Sequence, residues 1–242
     1  MISIDLKSYF QTITYNWRQD REQLSHICKL TKTRVDPSRQ EFSLDYGMEQ
    51  TFLVKAIAQS LNSKKFFEIG TGRGTASYAV SLIEEIEEIY TVDILPFDYK
   101  RDEAINYKPA KVSNKDIYNL ISFPQKNKIN FLSTKDYASL LENRPHSFDL
   151  AFIDGCHEDP RIIMQDFNIC LNLLKPNSWI LWDDYDPQKF EVHKVVDALI
   201  SQYGVECSLI EFRGHLFGEK SPEKNAGVIL MKLNENLYKS HE

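Results

Sequence analysis

The chain has 242 residues, of which 42% are hydrophobic and 26% charged, enough for one large domain or two small ones around a real core. Lysine and arginine total 29 against 35 aspartates and glutamates, a net charge of -6 that argues against an extended nucleic-acid or anionic-membrane surface. No apolar run approaches the roughly 18 residues of a membrane span. The start, MISIDLKSYF, lacks the basic and long apolar parts of a signal peptide, and Cys28, Cys156, Cys170 and Cys207 show no metal or disulfide spacing. Reduced thiols in a cytoplasmic protein are expected.

Residues 1–48 are polar and aromatic with weak helical periodicity, and are expected to form a helical extension or lid on the core. The domain proper is expected over residues 49–242. Phe52, Leu53, Ala56, Ile57 and Leu61 suit a helix. Residues 65–69 suit a short buried strand, and Ala76, Ala79, Leu82, Ile83 and Ile86 share one helical stripe. Residues 89–93 make a second strand. Residues 98–130 then carry seven Lys/Arg against four Asp/Glu with few apolar runs, as a lid or binding insert would. Strands follow at 129–132 and 148–154. Asp159 and Pro160 predict a helix N-cap and first turn, with a stop at residues 175–177. A strand at 179–183, a helix ending at Gly204, and strands at 205–212 and 227–233 complete the chain. The last two predict an antiparallel hairpin at the sheet edge. The alternation implies an α/β fold: a Rossmann-like, doubly wound, mostly parallel seven-stranded sheet.

In such a sheet ligands bind outside the carboxyl ends of the strands, near the switch point. Glu68, Asp93, Asp154 and Asp183 all fall at or near strand ends on that edge. The stretch FFEIGTGRGTAS, residues 66–77, places Gly70, Gly72 and Gly74 between a strand and a helix, where glycine lets the backbone turn tightly and approach a ligand. The pattern is neither the dinucleotide fingerprint G-x-G-x-x-G nor a phosphate-cradling P-loop. Asp93 ends the next strand, where a carboxylate can accept both hydroxyls of a ribose. Glu68 beside the loop favours a ligand carrying an ammonium group over a pyrophosphate.

The second stretch is FIDGCHEDP, residues 152–160, which pairs with WILWDDYDP, residues 179–187. Adjacent parallel strands lie about 4.8 Å apart, so Asp154, Asp183 and Asp184 are expected to crowd one volume and repel. A hard divalent cation resolves that conflict, and oxygen-only donors suit Mg²⁺. His157, three residues past Asp154, has an ordinary pKa of about 6.5 that fits a general base.

The run E-I-G-T-G-R-G followed by V-D resembles the first two motifs of class I S-adenosylmethionine-dependent methyltransferases. The resemblance implies that Glu68, Gly70, Thr71, Gly72 and Gly74 line the methionine end of the cofactor, with Asp154 nearby, that Asp93 holds the ribose, and that Ser133 lies near the adenine. FIDGCHEDP with WDDYDP resembles a metal-dependent O-methyltransferase branch that includes macrolide-sugar O-methyltransferases and cephalosporin-hydroxylase-like relatives. By that resemblance Asp154, Asp183 and Asp184 are Mg²⁺ ligands and His157 is the base. Catechol and caffeoyl-CoA O-methyltransferases are a more distant likeness. Residues 175–178, Lys-Pro-Asn-Ser, stand where relatives usually have Lys-Pro-Gly-Gly. The implied reaction is methyl transfer to a hydroxyl of a small molecule or natural-product intermediate. Its rivals are a metal-free methyltransferase, an NAD-linked oxidoreductase and a non-catalytic binding module. No nucleic-acid or membrane partner is expected; a homodimer, or a place within a larger synthase, is compatible with the sequence.

Overall fold

The computed structural model describes residues 1–31, 42–44, 47–100, 111–212, 216–217 and 227–239. A short strand, β1 (Ile2–Asp5), leads into helices α1 (Leu6–Thr12), α2 (Trp17–Thr31) and α3 (Glu49–Ser60). Then come β2 (Lys65–Ile69), α4 (Thr75–Ser81), β3 (Glu88–Asp93), α5 (Asn114–Leu120), β4 (Ile129–Ser133), α6 (Tyr137–Asn143) and β5 (Phe148–Ile153). The chain ends with α7 (Pro160–Leu173), β6 (Leu174–Tyr185), α8 (Val192–Tyr203), β7 (Glu206–Glu211), β8 (Gly227–Lys232) and α9 (Glu235–Lys239). Among the described residues no helix is long and apolar enough to cross a membrane.

Among the described residues all strands join one sheet in the order β1-β7-β8-β6-β5-β2-β3-β4, with β8 antiparallel to β6 and β7 and every other pair parallel. The chain runs outward from β2 to β4, then returns to β5 on the other side of β2. That reversal puts the switch point between β2 and β5, and their loops face each other there.

Side chains alternate across the sheet with the strand period of two. Phe66, Leu150, Phe152, Leu181 and Leu230 pack under α1–α4. Phe67, Ile69, Ala151, Ile153, Ile180 and Trp182 pack under α6–α9. The central strands are therefore apolar on both faces, as parallel strands covered by helices must be.

The sheet has eight strands rather than seven, and the hairpin is not its outer edge. Residues 2–5 are too short and too exposed to show strand periodicity, so sequence reading takes the whole segment as helical. They gain a ladder only by lying along β7, from Ile2 beside Ser208 to Asp5 beside Glu211, with the Ser3 hydroxyl donating to Glu211. Asp159 caps α7 by accepting from the Arg161 amide, with Pro160 in the first turn, as expected. The expected stop at 175–177 is real but lies within β6. Residues 175–178 loop out between the pairs Phe148 with Leu174 and Leu150 with Trp179. Asn177 has φ +63 there, in the left-handed region that a glycine fills more readily. Residues 101–110 of the 98–130 insert lie outside the described residues; its later part forms α5, closed by a Ser113–Asp116 capping box.

Candidate active site

The glycine loop is held at the tips of three strands. Gly70 N donates to Val92 O at 2.9 Å, and Asp154 N donates to Ile69 O at 2.8 Å. Gly70 has φ +92, and a Cβ there would lie 1.9 Å from Asp154 O. Only glycine lets the loop after β2 meet the strand end of β5 this closely. The Asp93 carboxylate then ties the loop to β3, accepting from Gly72 N through Oδ2 and from Leu95 N through Oδ1, both at 3.0 Å.

Glu68 is 2% exposed at the end of β2. Its Oε2 accepts from the hydroxyls of Ser77 and Thr91, both at 2.6 Å. Thr91 gives its one proton to Glu68, so the Thr71 hydroxyl, 2.6 Å away, must donate to Thr91. This chain fixes Thr71 in the loop. Burial, offset by those two hydroxyls, pushes the Glu68 carboxyl up to about 7.

Two cavities flank the loop. Glu68, Thr71, Gly72, Arg73, Phe152, Asp154 and Gln50 are among the residues lining the first. Gly72 and Arg73 also line the second, with Asp93, Tyr99, Val112, Asn114 and Ile117. The described ends of the 98–130 insert thus wall the cavity beside Asp93. Ser133 sits next to Asp93 in the sheet register, but its hydroxyl and amide both donate to Asp136. It does not line either cavity; the wall there comes from Leu95, Pro96, Tyr99, Val112, Asn114 and Ile117.

At the other end Asp154, His157 and Asp184 each present a ligand atom within 4.8 Å of the others. His157 Nδ1 lies 3.2 Å from Asp184 Oδ2. The His157 carbonyl accepts from Glu191 N at 2.8 Å, and its ring packs against Phe190 at 5.5 Å between centroids. Burial lowers the imidazole pKa, against the opposing pull of Asp183 and Glu158. Asp166 of α7 lies behind this turn, where a Cβ on Gly155 would meet its Oδ2 at 2.9 Å. Burial raises its carboxyl to about 6, against the opposing hydrogen bond from the Cys156 amide.

The acid pair of β6 is split by a bulge. Trp182 pairs with Ile229 and Tyr185 with Gly227, so Asp183 and Asp184 together face Val228 alone. Asp184 adopts φ +54, a left-handed conformation that aspartate tolerates better than most residues. The bulge breaks strand alternation: Asp184 joins Asp154 and His157, whereas Asp183 accepts from the Gln50 side-chain amide. The ligand atoms within 4.8 Å of one another are those of Asp154, His157 and Asp184, while Asp183 acts on His157 through its charge and accepts from Gln50. Alternation in β6 could not reveal this, because a bulge is invisible to a period-two reading.

Sequence reasoning also missed Gln50, Thr91, Ser77 and Arg73. Gln50 is 133 residues from Asp183, with no local signal. Arg73 did carry one: a long cation between two glycines of a backbone-lined loop.

The fold is the Rossmann-like fold of methyltransferases, with the glycine loop and the acids at its strand ends. Residues 67–185 match the model of the family described as "Methyltransferase domain". The matched segment spans β2 to β6 and contains the glycine loop, Asp93, His157 and the acid pair. No curated protein matches the chain in sequence. Solved structures share the fold. The O-methyltransferase TomG of Streptomyces achromogenes, involved in tomaymycin synthesis and solved with S-adenosylmethionine, superposes with TM-score 0.58 at 16% identity, over 86% of this chain and 89% of that one. An O-methyltransferase of Bacillus cereus, solved with S-adenosylhomocysteine, gives 0.55 at 14% identity over 89% and 90%. A putative caffeoyl-CoA O-methyltransferase of Staphylococcus aureus gives 0.54 at 16% over 95% and 97%.

Proposed function

We propose that the protein moves the methyl group of S-adenosylmethionine to a hydroxyl of a small molecule, assisted by Mg²⁺ and by His157 as general base. One observation carries this reading: Asp154 belongs both to the cavity of Glu68 and the glycine loop and to the cluster with His157 and Asp184. A methyl donor and an activated acceptor would therefore meet across a single residue. The Bacillus and Streptomyces structures, with their bound cofactor or product, support the same use of the fold.

The donor set fits both groups. Glu68 is a buried carboxylate facing a cavity, suited to an ammonium. Asp93 stands beside the second cavity, where a ribose would meet a carboxylate. Asp154 and Asp184 offer hard oxygen donors, and Asp183 could join them by releasing Gln50. When bound, S-adenosylmethionine supplies the electrophilic methyl and the cation lowers the pKa of the hydroxyl beside it.

The residues of this chain do the rest. If the Nδ1 proton of His157 points to Asp184, Nε2 is left as the basic nitrogen. The neutral imidazole, favoured by burial, removes the hydroxyl proton. The Phe190 ring packs against it, and the Glu191 amide holds the His157 backbone carbonyl. Because charge is neutralised as the methyl moves, catalysis rests on positioning and on excluding water.

The test is calorimetric. S-adenosylmethionine titrated into EDTA-treated protein should bind with micromolar affinity, and NAD should give no heat. Mg²⁺ should give a separate heat that disappears in Asp154→Asn. If S-adenosylmethionine is silent, the cofactor reading is wrong; if Asp154→Asn leaves the Mg²⁺ heat unchanged, the metal reading is.

A further inference from the structure

Helix α2 precedes the family-matched segment, yet it reaches the centre of the glycine loop. Arg73 lies between Gly72, at φ +54, and Gly74, at φ +78, where the backbone has least conformational restraint of its own. Its side chain is 4% exposed and turns away from solvent, and Nη2 donates to Leu30 O at 3.1 Å. Leu30 is the last residue but one of α2. Its carbonyl is among the final four, which a helix cannot satisfy internally, and it lies at the negative end of the helix dipole. A guanidinium is a fitting partner for that end.

The loop is pinned from three directions. Asp93 holds the Gly72 amide from the front. The Tyr78 ring packs on Gly74, where a Cβ would lie 2.9 Å from Cε2. Arg73 is the pin from behind, and it also lines both cavities beside the loop. A buried cation is expensive to leave without partners. The loop gives this one a backbone oxygen of α2 as a partner. The helix is itself anchored, with Leu24 and Ile27 fully buried and Trp17 edge-on to Phe52 at 6.3 Å.

We infer that α2 is the back wall of the cofactor site and that Arg73 is the positioning residue coupling the helix to the loop. The inference rests on the reading of the loop as the S-adenosylmethionine site. It gives the N-terminal extension a role other than lid: it sets the affinity of a site whose contacts all come from later in the chain.

The experiment pairs calorimetry with hydrogen exchange on the full chain. Arg73→Met should weaken S-adenosylmethionine binding about ten-fold or more, the effect of losing a charged hydrogen bond. Arg73→Lys, which keeps the charge, should recover part of that loss. Leu24→Ala, which loosens α2 without touching the loop, should weaken binding several-fold by the same route. In the wild type the cofactor should slow amide exchange in the last turn of α2. In Arg73→Met that cofactor-dependent protection should vanish, which general destabilisation alone would not produce. If Arg73→Met does not fold, Arg73→Lys and Leu24→Ala decide the matter. Wild-type binding with unchanged affinity in the variants and retained α2 protection overturns the coupling alone. A wild type that does not bind S-adenosylmethionine overturns the cofactor reading, and the coupling with it.

Discussion

At the β2–β3 end of the crevice the polar groups satisfy one another, with Glu68, Thr71 and Thr91 buried and Asp93 half-buried: Glu68 by two hydroxyls, Asp93 by two amides, Thr71 through Thr91. At the β5–β6 end they are half-buried, and carboxylates dominate. The first end is a preformed cradle, shaped by backbone and neutral donors. The second holds like charges together through a bulge and a left-handed aspartate. A cradle can stand empty at little cost, whereas crowded carboxylates favour a cation. The two ends therefore suit different partners, an organic cofactor and a metal ion.

The largest expected effect comes from removing what joins them. Gly70→Ala would drive a Cβ to 1.9 Å from Asp154 O at a φ of +92. Left-handed strain and overpacking together should cost about 3 kcal/mol or more. Urea denaturation should show that loss, and calorimetry should show both cofactor and cation binding impaired. Loss of only one would mean the ends are independent.

The cradle has a pH signature. The Glu68 carboxyl, ordinarily at 4.5, stands at about 7 in the folded chain. Its contribution to stability is fully present below 4.5 and is lost as pH rises through 7, a change on the order of 3 kcal/mol. Glu68→Gln should flatten the stability profile in that window. In the wild type an arriving ammonium should expel the proton, so the S-adenosylmethionine binding enthalpy at pH 6 should depend on the buffer. A buffer-independent enthalpy would place the ammonium elsewhere.

The acid end should yield the smallest change. Asp184→Gly relieves the φ of +54 and one of the crowded charges, and should stabilise the cation-free protein by about 1 kcal/mol. The same variant should lose the Mg²⁺ heat. Destabilisation on chemical melting would show that Asp184 is held by favourable contacts rather than by the demands of the cluster.

Much of this was written in local pattern. Period-two and period-3.6 hydrophobicity marked β2 to β8 and helices α3, α4, α7 and α8, Asp159-Pro160 marked the start of α7, and Gly70, Gly72 and Gly74 marked the loop. These signals are local because apolar burial and backbone sterics act residue by residue along an element. The strand-end positions of Glu68, Asp93 and Asp154 followed from the same pattern. Asparagine at 177 took a left-handed place of the kind glycine fills more readily, again a local constraint.

Tertiary structure alone decided the rest. Four residues, exposed or half-buried, became β1 because the edge of β7 was there to pair with them. A bulge against β8 sent Asp184 to His157 and left Asp183 to Gln50. The guanidinium of Arg73 found the end of a helix more than 40 residues upstream. In each case the partner is distant in sequence, and the energy lies in a hydrogen bond or charge contact that exists only after the chain has closed. The sequence by itself determined the elements and the edge at which chemistry gathers; the packed fold determined which side chains meet there.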